Sequence, residues 1–292
     1  MRLFRFLVGL LLLTSASALA ADDYAQSIDA WRQQRIARLT APDSWLALVG
    51  RHPLPHGMHT LGSGANSDIK LATGPARLGT ITYADDGKVT LALADGVDAK
   101  IDGTDARTAE LVHHGEKPTY VHFGTANFYV MERGDQLFVR VRDTESPRRK
   151  NFPGIEYFPT DASWRIEAQW VKFDQPRTVK ITNMIGQTSD EPVPGKAVFT
   201  RDGRTFELYP VDEDGELFFI VADETNGVET YDAGRFLYSK VGPDGKVLLD
   251  FNKIYNPPCV FTPFATCPMP PKENRLQLRV TAGEKKFHGE SH

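Results

Sequence analysis

"AVFTRDGRTFEL", residues 197–208, carries the plainest statement of fold in this chain. Two short runs rich in β-formers flank Asp202-Gly203. A two-residue Asp-Gly loop is the turn whose backbone twist matches the right-handed twist of paired strands. The segment therefore reads as a β-hairpin. The same pattern extends in both directions. On the N-terminal side, Ile166, Ala168 and Trp170 alternate, as do Val179 and Ile181. On the C-terminal side, "LFFIV" (217–221) is apolar on both faces and belongs in the middle of a core. "GRFLY" (234–238) and "KVLLDF" (246–251) supply further strands around Gly242 to Gly245.

Alternation also marks the region from Arg51 onward, with Val89, Leu91 and Leu93, then Val121 and Phe123, then Leu137, Val139 and Val141. Turn residues separate these runs: "DDGK" at 85–88, "DG" at 95–96 and 102–103, and "RGDQ" at 133–136. Short strands at this spacing predict a β-sandwich over 51–141. The stretch "RDTESPRRKNFPG" (142–154) reads as a connector to a second β unit, 142–287, built as a barrel or a sandwich, and 288–292 is a tail. Ahead of both lies a helical segment, 21–50. Tyr24, Ile28, Trp31 and Leu39 share a face compatible with a helix from Asp22 to Leu39, stopped by Ala41-Pro42. Asp43 is placed to cap a short turn over 44–49, and Arg32, Arg35 and Arg38 read as a solvated face. The expected class is all-β, two β units behind a short N-terminal helix.

The first twenty residues read as an export signal. Arg2 and Arg5 precede the apolar run Leu7 to Leu13, and Ala18-Leu19-Ala20 is a small-x-small cleavage pattern. The apolar run is short of the roughly 20 residues a bilayer span needs, and no later segment is apolar enough to span one. The expected location is periplasmic or secreted, with a cut after Ala20. Cleavage removes two arginines and no acid, so the formal charge of −4 becomes more negative. A mildly acidic chain without a basic tract is a poor nucleic-acid binder.

Two resemblances to known families follow. "LPHGMHTLGSGANSDIKL" (54–71) resembles the opening of a forkhead-associated domain through Asn66, Asp68, Ile69 and Leu71. The arginine with which that family grips phosphothreonine would fall at Ser63, so the resemblance implies the sandwich without phosphopeptide reading. More extensively, "FPGIEYFPTDASWRIEA" (152–168), "ETYDAGRFLY" (229–238), "DFNKIYNPPCVFTPFATCP" (250–268), "PPKENRL" (270–276) and "AGEK" (282–285) resemble the bacterial domain-of-unknown-function family 1684. The resemblance runs from about Asp143 to Phe287 and implies a fold unit and no chemistry. "WRQQRIARLT" (31–40) resembles the helix preceding this domain, so the sandwich reads as an insertion between the two.

Residues 250–276 hold six prolines and both cysteines, with no hydrophobic period. The prolines fix φ angles and stiffen the loop. Asp250, Asn252, Asn256 and Asn274 can bond backbone groups that lack a ladder. Cys259 and Cys267 are an even pair in an oxidising compartment, so a disulfide is expected ahead of unbridged structural cysteines or a catalytic thiolate. Zinc would want more ligands at short spacing. His52, His56 and His59 straddle prolines in a turn, so no metal is expected, and no cofactor motif occurs.

Tyr231, Arg235, Asn252, Asn256 and Arg275 are the candidate ligand-binding residues. Two guanidiniums, a phenol and amides beside a stiffened loop suit a carboxylate or phosphate group. The leading expectation is a binding module for a small anionic ligand. Two alternatives stay open: a hydrolase with carboxylates such as Glu229 and Asp250, and an envelope interaction module docking a protein partner through the sandwich. No Gly-x-Ser-x-Gly or His-Glu-x-x-His is present.

Overall fold

A computed structural model describes residues 4–115 and 117–289, with side chains from Asp22 onward except those of Glu116 and Pro176. The segment 1–20, read from sequence as an export signal, lies outside the described residues over 1–3 and outside the described side chains over the rest. No helix among the described residues is long and apolar enough to cross a membrane. The chain divides into two units. Residues 38–153 and 261–265 form one, here the sandwich unit. Residues up to 37, with 154–260 and 266–289, form the C-terminal unit.

The sandwich unit contains β1 (Leu48–Leu54), β2 (Gly57–Gly62), β3 (Ile69–Lys70), β4 (Gly79–Tyr83) and β5 (Val89–Leu93). It continues with β6 (Lys100–Ile101), β7 (Thr108–Glu110), β8 (Val121–Phe123), β9 (Ala126–Arg133) and β10 (Gln136–Asp143). Five of these form a sheet in the order β1-β10-β9-β8-β6, and five another in the order β3-β2-β4-β5-β7. Alternation buries one face of each. Val89, Leu91 and Leu93 from one sheet meet Val121, Phe123, Leu137, Val139 and Val141 from the other in a single apolar cluster. Asp43 does not cap the turn that precedes β1. Ser44 occupies that position, ahead of a 3-10 turn over Trp45–Ala47, without a side-chain hydrogen bond.

The C-terminal unit contains β11 (Arg165–Thr182), β12 (Thr188–Arg201), β13 (Arg204–Leu208), β14 (Val211–Glu213), β15 (Glu216–Val221), β16 (Arg235–Ser239) and β17 (Lys246–Asp250). They form a four-stranded sheet, β13-β12-β11-β17, and a three-stranded sheet, β14-β15-β16. Among the described residues no closed barrel forms. The Asp202-Gly203 turn takes φ of 50° and 73°, the left-handed pair that this hairpin requires. Leu217 to Val221 are all buried because β15 is the central strand of its sheet.

Helix α1 (Phe4–Thr40) buries Ile28 and Leu39 completely or nearly so. Its arginines are not the solvated face that spacing suggests. The Arg35 Nε donates to Glu284 Oε1 at 2.9 Å, its Nη2 donates to the Asn256 carbonyl at 2.9 Å, and its guanidinium covers the Tyr255 ring. Arg32 donates to the Phe158 carbonyl at 3.0 Å. Only Arg38 of the three is exposed. Residues 22–37 therefore belong to the C-terminal unit, and the sandwich unit interrupts it in sequence.

Candidate functional site

Gly234 delivers Arg235 into the core. Its φ of +91° and the close approach of Val221 O and the Pro270 ring leave no room for a Cβ. The Arg235 side chain is completely buried. One terminal nitrogen donates to Asp223 Oδ2 at 2.8 Å and to the Val280 carbonyl at 2.9 Å. The other donates to the carbonyls of Ala282 and Glu284 at 2.6 and 3.1 Å. Burial pulls this guanidinium's pKa down, while Asp223 opposes the fall. Asp223 is equally occupied, accepting from Thr225 N, Thr225 Oγ1 and Val280 N. The arginine placed at an anion site from sequence is a strut that fastens residues 280–284 to β16.

The two asparagines are internal as well. Asn252 accepts from Asp161 N at 3.0 Å and donates to Asp161 O and Tyr24 Oη. Asn256 donates from its main chain to Glu284 Oε2 at 2.7 Å and from its side chain to Lys285 O. Both are fully buried. Tyr231 is partly buried, and its hydroxyl accepts from the Cys259 thiol at 3.5 Å. Burial is the main reason its pKa rises. The expected disulfide is not formed in this structure. The cysteines are nonetheless neighbours: Cys259 N donates to Cys267 Sγ at 3.1 Å. Hydrogen bonding with Cys267 holds the Cys259 thiol below its ordinary range, against the effect of burial.

Arg275 differs from all of these. Residues 274–280 alternate strictly between buried and exposed. Asn274 turns inward and clasps the Tyr209 main chain through both amide atoms, at 2.7 and 2.8 Å. Arg275 and Gln277 consequently point outward. They line one wall of a surface groove of about 410 Å³, whose other wall comprises Arg204 to Glu207 and Tyr209. Arg275 makes one long hydrogen bond, 3.4 Å to the Pro270 carbonyl. Arg204 makes one of 3.5 Å to Gln277 Oε1. The acids of this groove have other partners. Glu207 pairs with Lys196 at 2.6 Å and accepts from Tyr209 at 2.8 Å, and Glu273 lies 3.8 Å from Lys272. Lys196 is the main reason that Glu207 sits below the usual carboxylate range. Burial and the bond to Glu207 push Tyr209 up to about 12. Two guanidiniums thus face the groove with no carboxylate pairing either of them among the described residues.

Arg204, Tyr209 and Gln277 were missed by sequence reasoning. The first two stand on or beside an edge strand, and the clasp of Asn274 on the Tyr209 main chain, a long-range contact that sequence does not print, sets them beside residues 273–277. The carboxylates weighed for acid/base chemistry have separate partners: Glu229 pairs with Arg279, and Asp250 accepts from Tyr24 Oη at 2.7 Å. No group of three or more His, Cys, Asp or Glu side chains suited to a metal occurs among the described residues.

A family model described as "Protein of unknown function (DUF1684)" matches residues 150–285. An uncharacterized protein of Haloarcula marismortui, solved by solution NMR, is 32% identical, with 47% of this chain and 78% of that chain covered and a TM-score of 0.38. No curated protein matches the chain.

Proposed function

For a chain that belongs to the DUF1684 family through residues 150–285, we propose an exported binding module for a small anionic ligand, held in the groove between residues 204–209 and 273–277. The observation that carries this reading is the pair Arg204 and Arg275. Each has one long hydrogen bond and no ion pair, and both open on the same groove. A guanidinium fork held this way meets a carboxylate or phosphate with two parallel donors. The groove is of small-ligand size, and Gln277 adds an amide. In this reading Arg275 keeps its role, Arg204 replaces Arg235, and the buried asparagines and Tyr231 support the fold around the groove. Export places the chain in an oxidising compartment, where the adjacent thiols of Cys259 and Cys267 close to a disulfide.

The test is a melting-curve titration with citrate as a generic polycarboxylate, on wild type and on an Arg204→Gln/Arg275→Gln double variant. Wild type should show a saturable rise in Tm, and the exposed double variant should melt normally but fail to respond. Equal responses at matched ionic strength, or none in either protein, would remove the groove as the site. Native mass spectrometry of wild-type periplasmic material then identifies the retained mass.

A further inference from the structure

The outer face of the sheet β1-β10-β9-β8 in the sandwich unit carries an unbalanced charge cluster. Arg51 on β1 stands directly opposite Arg140 on β10, and Arg140 is opposite Tyr129 on β9. One rung further along the same face, Arg142 is opposite Asn127. Like charges facing each other across strands are destabilising. Here the central member is also buried, Arg140 being only 3% exposed. Ion pairs between arginine and carboxylate elsewhere in the described chain involve Arg32, Arg35, Arg201, Arg235 and Arg279. Arg51, Arg140 and Arg142 have none among the described residues.

What they do have accounts for their position but leaves their charge unbalanced. Arg140 donates to Tyr129 Oη and to the Phe264 carbonyl, both at 3.3 Å, and Arg51 donates to the Ala265 carbonyl at 3.3 Å. Arg142 reaches Tyr129 Oη at 3.5 Å. Trp45, Phe138 and Tyr129 each lie under one guanidinium, at 5.3, 5.5 and 5.0 Å. Rings and carbonyls orient a cation without neutralising it. Three buried polar atoms on these two rungs have no partner: Arg140 Nε, Arg142 Nε and Asn127 Oδ1. A buried donor left unmade costs about 1–3 kcal/mol, and more when charged. A half-turn of the Asn127 amide would present its NH2 to the same place. Burial, and then the charge of Arg140, lower the affinity of Arg51 for its proton.

We propose that Arg51, Arg140 and Arg142, with Tyr129 and Asn127, form a binding site for a doubly charged tetrahedral oxyanion, a phosphate or phosphate monoester. Three positive charges select a dianion over a monocarboxylate, which would leave two unbalanced. Planar forks on adjacent rungs suit oxygens that radiate in three directions. Arg51 and Arg142 are only partly buried, so they form the entrance, and Arg140 forms the floor. The site is separate from the groove at Arg204 and Arg275 and does not depend on it.

The experiment is isothermal titration of the full chain with inorganic phosphate at ionic strength fixed by chloride, repeated with Arg142→Gln and Arg51→Gln. Phosphatidic acid vesicles, with phosphatidylcholine as control, form a second arm. Wild type should bind saturably in at least one arm, and Arg142→Gln should bind roughly tenfold or more weakly, as expected for losing a two-pronged charged contact, with its melting temperature little changed. Binding confined to soluble phosphate assigns a soluble ligand, and binding confined to the vesicles assigns a lipid headgroup. If Arg51→Gln fails to fold, the part-exposed Arg142→Gln decides. Affinity that is equal in wild type and Arg142→Gln overturns the proposal and hands any phosphate binding to the groove. Absence of binding in both arms overturns it outright.

Discussion

Arg235 and Arg275 are the same residue type, both drawn from signature stretches of the C-terminal unit, and they do opposite things. Arg235 has four hydrogen bonds, all to protein acceptors, and Arg275 has one long bond at a groove. Burial decides the difference. An arginine taken fully out of water needs partners inside the fold, and both terminal nitrogens of Arg235 have them while its Nε does not. Replacing it with the apolar isostere in Arg235→Met strands Asp223 as a buried carboxylate and frees three main-chain carbonyls. The expected loss is about 3–5 kcal/mol, read as a lower urea midpoint with an unchanged slope. Arg275→Met should move that midpoint little, because an exposed side chain with one long bond contributes little to stability. If both variants unfold equally early, the division into strut and groove wall is wrong.

At the scale of elements, the proline-rich segment 250–276 is ordered by what it touches. Asp250 and Asn252 bind Tyr24 of α1, Asn256 binds Glu284 and Lys285, and Asn274 clasps Tyr209. Each amide closes a loop onto another part of its unit, which is how an irregular segment satisfies a backbone that has no ladder. The adjacency of Cys259 and Cys267 adds a covalent option to this. Non-reducing peptide mapping of exported, oxidised protein should show the two linked. Closing a loop this short should raise stability by roughly 2–3 kcal/mol over the reduced form. Two alkylatable thiols in folded, oxidised material would contradict that expectation.

For the whole molecule, the two units divide the proposed work. The C-terminal unit carries a groove with two arginines that no described carboxylate pairs, and the sandwich unit carries an arginine cluster around the buried Arg140. Both proposals concern anions, yet the intact chain has a formal charge of −4. Anion binding here is therefore a matter of local placement, and net charge works against nonspecific polyanion binding. Export is testable on the same scale. Protein recovered from the periplasm of an expressing bacterium should have an intact mass that begins at Ala21. Material retaining residues 1–20 and staying in the cytoplasm would remove the compartment on which the disulfide expectation rests.

The hairpin at 197–208, the buried strand at 217–221 and the alternating runs at 89–93 and 137–141 were legible because strand chemistry is local. Period-two alternation and an Asp-Gly turn need only neighbours in sequence. The helix was legible for the same reason, but the fate of its arginines was not, because Glu284 and Asn256 lie more than two hundred residues further along the chain. Signature motifs rich in arginine and asparagine looked like a site because a buried polar network and a ligand site draw on the same residue types. Only burial and pairing register separate them. The tertiary structure sent Arg235, Asn252 and Asn256 inward as internal partners, left Arg275 beside Arg204 at an open groove, and set Arg51 against Arg140 across two strands. These are contacts between distant segments, and one-dimensional order does not encode their distance.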